Sequence, residues 1–318
     1  MQRTAEFVSP LHPDKMCDRV SDKILDKYLE KDSESRVAVE VMGGREAITV
    51  VGEVTSDVDV DVVEAVKEVC GRDVRVEQDI VSQSQDIARG VDSGGAGDQG
   101  IMTGYACSET KTLMPLEYEL ARTLAKKMFE YYQADGKTQV TVDEKGCITR
   151  VVCSWADLET EEIKDLVDTW LRFQRTENPK VFINPAGDWN TSGFDADTGL
   201  TGRKIVVDNY GPRVPVGGGA FSGKDPSKVD RSGAYMARKI AADILREKDA
   251  NEVQVKLAYG IGVKQPIMTT MNVDGEEKAL PKKHQLDYQS IIKKLNLKKP
   301  RYHELAKWGH FGHNNEWD

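Results

Sequence analysis

The strongest constraint on the fold is a pattern that occurs three times. Residues 13–30 begin with Pro13 and set Met16, Val20, Ile24 and Tyr28 at helical spacing. Two alternating strands follow, Val37/Val39/Val41 and Ile48/Val50/Gly52, joined through Gly43-Gly44. A helix over 57–70 then carries Val62, Val63, Val66 and Val69. The order returns from Pro115. A helix sets Leu120, Leu124, Met128 and Tyr131 on one face, strands over 138–143 and 147–155 turn at Lys145-Gly146, and a helix over 161–175 bears Ile163, Leu166, Val167 and Trp170. The third round runs from Pro226 through Val229, Met236, Ile240 and Ile244 to strands over 252–260 and 267–274 and a helix near 286–296. Helix–strand–strand–helix units about a hundred residues apart predict an α/β (α+β) fold of three similar subdomains with a pseudo-three-fold relation. The divisions fall at 1–92, 93–186 and 187–318. Pairs such as Val50-Val51 and Val151-Val152 make strands apolar on both faces, and helices cover only one, so an oligomer is expected.

Composition narrows the function. With 318 residues, 39% hydrophobic and 31% charged, the chain has ordinary globular proportions. A net charge of −9 argues against a nucleic-acid partner held by a basic surface. The start, MQRTAEFVSPLHPDK, has no apolar core of a secretory signal, and no run approaches the ~18 apolar residues of a membrane span, so a cytoplasmic protein without a membrane partner is expected. Cys17, Cys70, Cys107, Cys147 and Cys153 are odd in number and include no CxxC pair, which suits small buried hydrophobes in a reducing compartment.

The glycine-rich stretches fall outside the strong periodicity, where functional loops are found. In GPRVPVGGGAFSGKDPSKVDR (211–231), Gly218, Gly223 and Lys224 satisfy the first part of a Walker A pattern. Asp225 stands where a P-loop needs Ser or Thr, and Val-Pro-Val does not read as the strand before it, so a kinase-like ATPase is the weaker reading. The physics is nevertheless related: glycines let backbone N–H groups approach phosphate, Pro226 is expected to open a helix, and Lys224, Lys228 and Asp230 suit phosphate with a shared Mg²⁺. His12-Pro13-Asp14-Lys15 sits at another helix start, where Asp14 is stabilised by the helix dipole and His12 alone reads equally as a surface residue. The segment Gly94–Gly100 is a close-approach loop with Asp98 as its one ionisable group. GLTGRK (199–204) puts Arg203 and Lys204 ahead of an expected strand over 205–208, with Asp197 upstream. Glu40 and Glu53 interrupt apolar runs of adjacent strands, so each is expected to face a cation, an ammonium group or a Lys/Arg partner.

Taken together, HPDK, GAGDQG, FINP, GLTGRK, GGGAFSGKDPSKVDRS and GHFG occur in the order seen in S-adenosylmethionine synthetases, and the resemblance spans essentially the whole chain. It implies a three-domain α/β enzyme that joins ATP and L-methionine, with methionine sulfur attacking ribose C5′ and the tripolyphosphate then hydrolysed to phosphate and pyrophosphate. It implies that His12 contacts the leaving phosphate and that Lys137, Arg203, Lys204 and Lys224 hold the phosphate chain. Asp14 and Asp230 resemble Mg²⁺ ligands, two ions per site, and Glu40 resembles a K⁺-site carboxylate. Glu53, Gln83 and Lys228 match methionine contacts, Asp135, Asp197 and Ala220 nucleotide-side positions, and Asp98 a substrate-side aspartate. It further implies a homodimer, or a tetramer of two, with the active site at the subunit boundary.

The departures are specific. Leu11 replaces the family's glycine before HPDK, Asp188-Trp189 an Arg-aromatic pair, and Val216 a frequent His. The stretch from Val91 to Gly94 is shortened, which implies weaker gating and easier access for bulkier S-alkyl homocysteines. A degraded, merely nucleotide-binding or regulatory homologue is the alternative, but the charged set is complete.

Overall fold

The computed structural model of the chain describes residues 1–83 and 94–318. In chain order the first third contains β1 (Arg3–Val8), α1 (Pro13–Lys31), β2 (Arg36–Gly43), β3 (Ala47–Thr55), α2 (Val62–Cys70) and β4 (Arg75–Val81). The middle contains β5 (Gly100–Cys107), α3 (Leu116–Tyr131), β6 (Gly136–Val142), β7 (Ile148–Trp155), α4 (Thr160–Leu171) and β8 (Thr176–Ile183). The last contains β9 (Gly199–Leu200), α5 (Ile205–Asp208), α6 (Val229–Lys248), β10 (Glu252–Tyr259), β11 (Met268–Val273), β12 (Glu276–Lys278), α7 (Tyr288–Leu295) and α8 (Tyr302–Trp308).

The three-fold pattern holds, with an exchange that periodicity does not reveal. The strands form three four-stranded sheets, in the orders β1-β6-β7-β8, β12-β11-β10-β5 and β4-β3-β2-β9. The first strand of each third leaves its own unit: β1 pairs antiparallel with β6, β5 with β10, and β9 with β2. The donation is therefore cyclic. Each long helix lies on its own following strand and on the donated one, α1 on β2 and β9, α3 on β6 and β1, α6 on β10 and β5. The symmetry is imperfect in the last unit, where β12 folds back antiparallel on β11 while β4 and β8 join their sheets in parallel.

Local chemistry sets these elements. Pro13 lies at the start of α1, and His12 caps it by accepting the Asp14 N–H at 3.2 Å. Asp61 accepts the Glu64 N–H, so α2 starts at Val62 and not at 57. The helix expected over 161–175 ends at Leu171. Residues 205–208, expected as a strand, form one helical turn. The Asp208 N–H donates to Lys204 O, the Ile205 and Val206 carbonyls accept from Asn209 and Gly211 N–H, and Asp208 turns into the core towards Lys15. Pro226 does not open α6, which begins at Val229 with Lys228 as its cap residue. Four cysteines are buried and Cys70 is half-buried.

Where α6 crosses β5 the backbones touch. A side-chain carbon at Gly104 would stand 2.0 Å from the Ala237 carbonyl carbon, so only glycine permits this approach. Gly104→Ala should lower stability by about 3 kcal/mol, read as a reduced urea midpoint at unchanged slope.

Candidate functional site

The site is built along one edge of β2. At one end, Met42 and Gly43 pair with Leu200 and Gly199 of β9. At the other, Val39 N–H donates to Gly223 O (3.1 Å) and Asp225 N–H to Val37 O (2.9 Å), while the Asp225 carboxylate accepts the Val37 N–H at 2.7 Å. Two cation-bearing loops, 199–204 and 221–228, are thus docked on the same strand. Gly223 has φ 80°, and a side-chain carbon there would stand 1.9 Å from Val39 O. Asp225, which stands in place of the P-loop hydroxyl, is the pin of this docking and also holds the Lys228 ammonium.

At the β9 end the structure brings together His12, Asp14, Arg203 and Lys204. Asp14 accepts the Leu200 N–H at 3.0 Å, is paired with Lys204, and lies 3.7 Å from Arg203 Nε. Burial alone would raise its pKa, but the Lys204 ammonium and the Leu200 N–H hold it below the usual carboxylate value. His12 is buried, and burial together with the positive charge of Lys204 and Lys137 lowers its pKa to about 3. The imidazole is therefore neutral across the physiological range. Asp135 accepts the Gly193 N–H at 3.2 Å, and burial pushes its carboxyl up to about 6 despite nearby Lys137. Asp197 contributes to the field at both His12 and Asp135, and its own carboxylate caps the Thr198 N–H at 2.7 Å.

At the other end a cleft of about 180 Å³ gathers Glu53, Gln83, Asp98, Lys224, Lys228 and Asp230. Gln83 Nε2 donates to Glu53 Oε1 at 3.1 Å, and Lys224 is paired with Asp230. A neighbouring cleft of about 220 Å³ holds Glu40, Ala220, Thr201 and Ser222, and the two share Ala38 and Lys224. Neither cleft reaches His12 or Asp14. From Ala38 to Gly43 is about 16 Å of strand at ~3.3 Å per residue, so the two groups stand apart along β2. A larger cleft, about 610 Å³, lies between the α1–β2 connection and α7 and shares only Ser227 with the cleft around Glu53.

Some expectations are corrected. Lys224 and Lys228 both precede α6, whose helical residues start at 229, and they reach different carboxylates, Asp230 and Asp225. Glu40 does not interrupt the core: Val37, Val39 and Val41 point inward, and Glu40 is exposed on the other side of the sheet. Glu53 lies on that same side, half-buried, with an amide partner in Gln83. Asp98, placed in a loop, is exposed beside β5, which already begins at Gly100. The shortened connection after Val91 lies outside the described residues as far as Ser93. Residues missed in the sequence are Ala38, which walls both clefts, and Asp22, which holds the Gly223 N–H at 2.9 Å, while Asp225 was read only as a break in the P-loop pattern and not as the docking residue. The signal was present for the last: Asp14, Asp18, Asp22 and Asp26 recur every fourth residue of a helix.

The donor chemistry suits hard cations. Asp14 and Asp230 are carboxylates that each hold one lysine, and Mg²⁺ binds through one or two carboxylates while keeping waters and phosphate oxygens. Glu40 shares its cleft with the Thr201 and Ser222 hydroxyls, all oxygen donors. The cluster of Asp143, Cys147 and Glu177 lies elsewhere, and there Asp143 caps the Lys145 and Cys147 N–H groups of the β6–β7 hairpin.

Residues 1–87 match the N-terminal domain of S-adenosylmethionine synthetase, 93–189 its central domain and 191–318 its C-terminal domain. The chain belongs to the S-adenosylmethionine synthetase family. An S-adenosylmethionine synthase of Kosmotoga olearia is 42% identical over 365 residues, covering 97% of this chain and 93% of the relative. One from Treponema denticola is 40% identical over 361 residues with the same coverage. Both aligned lengths exceed the 318 residues of the chain, so these synthetases carry segments that it lacks. The structure of an unusual S-adenosylmethionine synthetase from Campylobacter jejuni superposes with a TM-score of 0.89 at 31% identity, covering 99% of this chain and 96% of that one.

The neutral His12 of this family member has a pH signature. Its folded pKa, about 3, lies below the unfolded value of 6.5, so between those values the unfolded chain binds more protons and stability falls on acidification. The loss should be about 1 kcal/mol by pH 5.5. His12→Asn keeps a capping acceptor and should remove that part of the slope, as measured by urea midpoints at pH 7.5 and 5.5.

Proposed function

We propose that the chain synthesises S-adenosyl-L-methionine from ATP and L-methionine, as the names of its relatives suggest for them, and hydrolyses the tripolyphosphate to phosphate and pyrophosphate. The observation that carries this reading is the cleft that gathers Glu53, Gln83, Asp98, Lys224, Lys228 and Asp230. Carboxylate and amide acceptors at one wall suit the ammonium of an amino acid, and the Lys228 ammonium suits its carboxylate. Lys224 reaches from this cleft into its neighbour, where a polyphosphate would lie.

Thioether sulfur is a competent neutral nucleophile, so the attack on C5′ needs no general base. It needs alignment with the leaving oxygen and cations placed where charge accumulates. Lys224, Lys204 and Arg203 supply fixed charge, and Asp230 and Asp14 hold the two ammonium groups in place beforehand. Lys137 adds charge near His12. His12, being neutral, acts as a hydrogen-bonding partner of phosphate and adds no charge. Asp135, Asp197 and Ala220 are assigned to the nucleotide. Mg²⁺ held by Asp14 and Asp230, with K⁺ near Glu40, would neutralise phosphate charge when bound.

The separation of the two groups along β2 supports a homodimer in which each site takes its halves from two chains. The outward face of the sheet β4-β3-β2-β9 carries Ala38, Glu40 and Glu53 together with exposed Met42, Val51, Val81 and Leu200. An apolar face of that extent, mixed with substrate-facing groups, suits a partner that completes the site. Among the described residues no helix is long and apolar enough to cross a membrane.

Incubation with ATP, methionine, Mg²⁺ and K⁺ should yield S-adenosylmethionine by mass spectrometry, with methionine-dependent release of both phosphate and pyrophosphate. Methionine-independent release of phosphate alone would favour a simple ATPase. Lys224→Met should lower turnover by several orders of magnitude with cooperative unfolding retained, because a phosphate contact in a water-poor site contributes about 3 kcal/mol or more. Near-normal synthesis by that variant would remove the phosphate-grip assignment. Sedimentation at micromolar concentration should give a dimer or larger, and a stable, active monomer would contradict the shared site.

A further inference from the structure

The turn that presents Lys224 is held from behind by groups that no assignment above uses. Its ends meet in one hydrogen bond, Lys224 N–H to Phe221 O at 3.2 Å. The same Phe221 carbonyl accepts Arg231 Nη2 at 2.5 Å, and one N–H of the turn, from Gly223, donates to Asp22 Oδ1 at 2.9 Å. Asp22 and Arg231 are themselves joined at 2.5 Å, so carbonyl, guanidinium, carboxylate and N–H close a ring around the turn. Both side chains are fully buried.

Arg231 is in turn fixed on three sides. Its Nη1 donates to the Tyr235 hydroxyl at 3.0 Å, and its guanidinium lies over the Tyr302 ring at 4.2 Å. The Tyr235 hydroxyl lies 2.7 Å from Nδ1 of His310, the histidine of the GHFG motif. A guanidinium can only donate, so the hydroxyl accepts from Arg231, and its second hydrogen bond is shared with His310 Nδ1. Trp317 stacks on Tyr235 at 4.2 Å and Phe221 meets His310 edge-on at 4.8 Å, which leaves the chain little room to rearrange. The contacts run in one chain: His310, Tyr235, Arg231, then the Phe221–Lys224 turn.

We propose that Asp22, Arg231 and Tyr235 are positioning residues for Lys224, holding its backbone where the ammonium meets polyphosphate, with the GHFG histidine as the anchor of the chain. This rests on the reading that Lys224 grips phosphate. A buried arginine needs its charge matched, which Asp22 alone would do. Spending further donors on Phe221 O and Tyr235 ties that charge to one turn geometry.

The test is a double-mutant cycle with inorganic tripolyphosphate and Mg²⁺ as the probe, read by titration calorimetry on the intact protein. Tyr235→Phe removes the two hydrogen bonds of the hydroxyl, with Arg231 and His310, and no charge, and keeps the ring stacking; Arg231→Lys keeps the charge but cannot span Asp22, Phe221 O and Tyr235 together. Tyr235→Phe should weaken tripolyphosphate binding and lower kcat by about five- to tenfold, as loss of the hydrogen bond that orients Arg231 would, with the KM for methionine unchanged. In a Lys224→Met background the same change should have no further effect on binding. Equal weakening in both backgrounds would show a general structural role and overturn the proposal. So would unaltered binding in Tyr235→Phe and Arg231→Lys while Lys224→Met binds weakly. If Lys224→Met itself binds tripolyphosphate as tightly as the parent chain, the phosphate reading fails first.

Discussion

The rest of the structure depends on four aspartates along the buried face of α1. Asp14, Asp18, Asp22 and Asp26 are four residues apart, so they form one stripe down the helix. Each takes a different piece of distant chain. Asp14 holds Leu200 N–H and Lys204, Asp18 holds Gly202 N–H and Lys15, Asp22 holds Gly223 N–H and Arg231, and Asp26 accepts the N–H groups of Arg301, Tyr302 and His303. Buried carboxylates are costly unless they are satisfied by N–H donors or cations, and here, apart from Lys15 of α1 itself, those partners arrive when distant segments of chain close on one helix. The loops that carry cations to the site are therefore ordered by charge satisfaction from below and by β2 from the side.

The cyclic exchange of strands explains where those loops meet. Because β9 crosses to the first sheet, the segment that follows it, 201–204, arrives beside the start of α1. Because α6 packs on β5 and β10, the turn before it reaches back to the other end of β2. The proposed site draws on residues near 12, 40, 135, 203 and 224 without any of them being neighbours in sequence.

The long helices and their hairpin strands were legible because each has a period of its own, 3.6 or 2, that survives without knowledge of its partners. The charged residues were legible through motif order more than through physics: His12 or Glu40 alone carries little information. What period cannot supply is which sheet a strand enters. β1 and β5 have pairing partners that lie far along the chain, so nothing local marks their transfer. Residues 205–208, Ile-Val-Val-Asp, have strand composition, yet the requirement that Asp208 meet the buried Lys15 ammonium at 2.5 Å goes with a helical turn. Glu40 was misjudged because alternation shows that two faces exist but not that both carry apolar residues when one of them is left open. Asp22 was overlooked for the opposite reason, since acids on a helix read as its solvated side until the buried partner is known.

The exchange also governs how the chain can acquire its structure. Val8 pairs with Lys137, Cys107 with Glu252, and Met42 with Leu200. No third has a complete sheet until another third has been made, and closure of the ring waits for residues near 200 and 252. During synthesis β1 must therefore stay unpaired while more than a hundred residues follow it, an edge that invites association in the meantime. Once the ring is closed the same linkage works in reverse: loss of one sheet removes a strand from its neighbour, so the unfolding of each unit is coupled to that of the next.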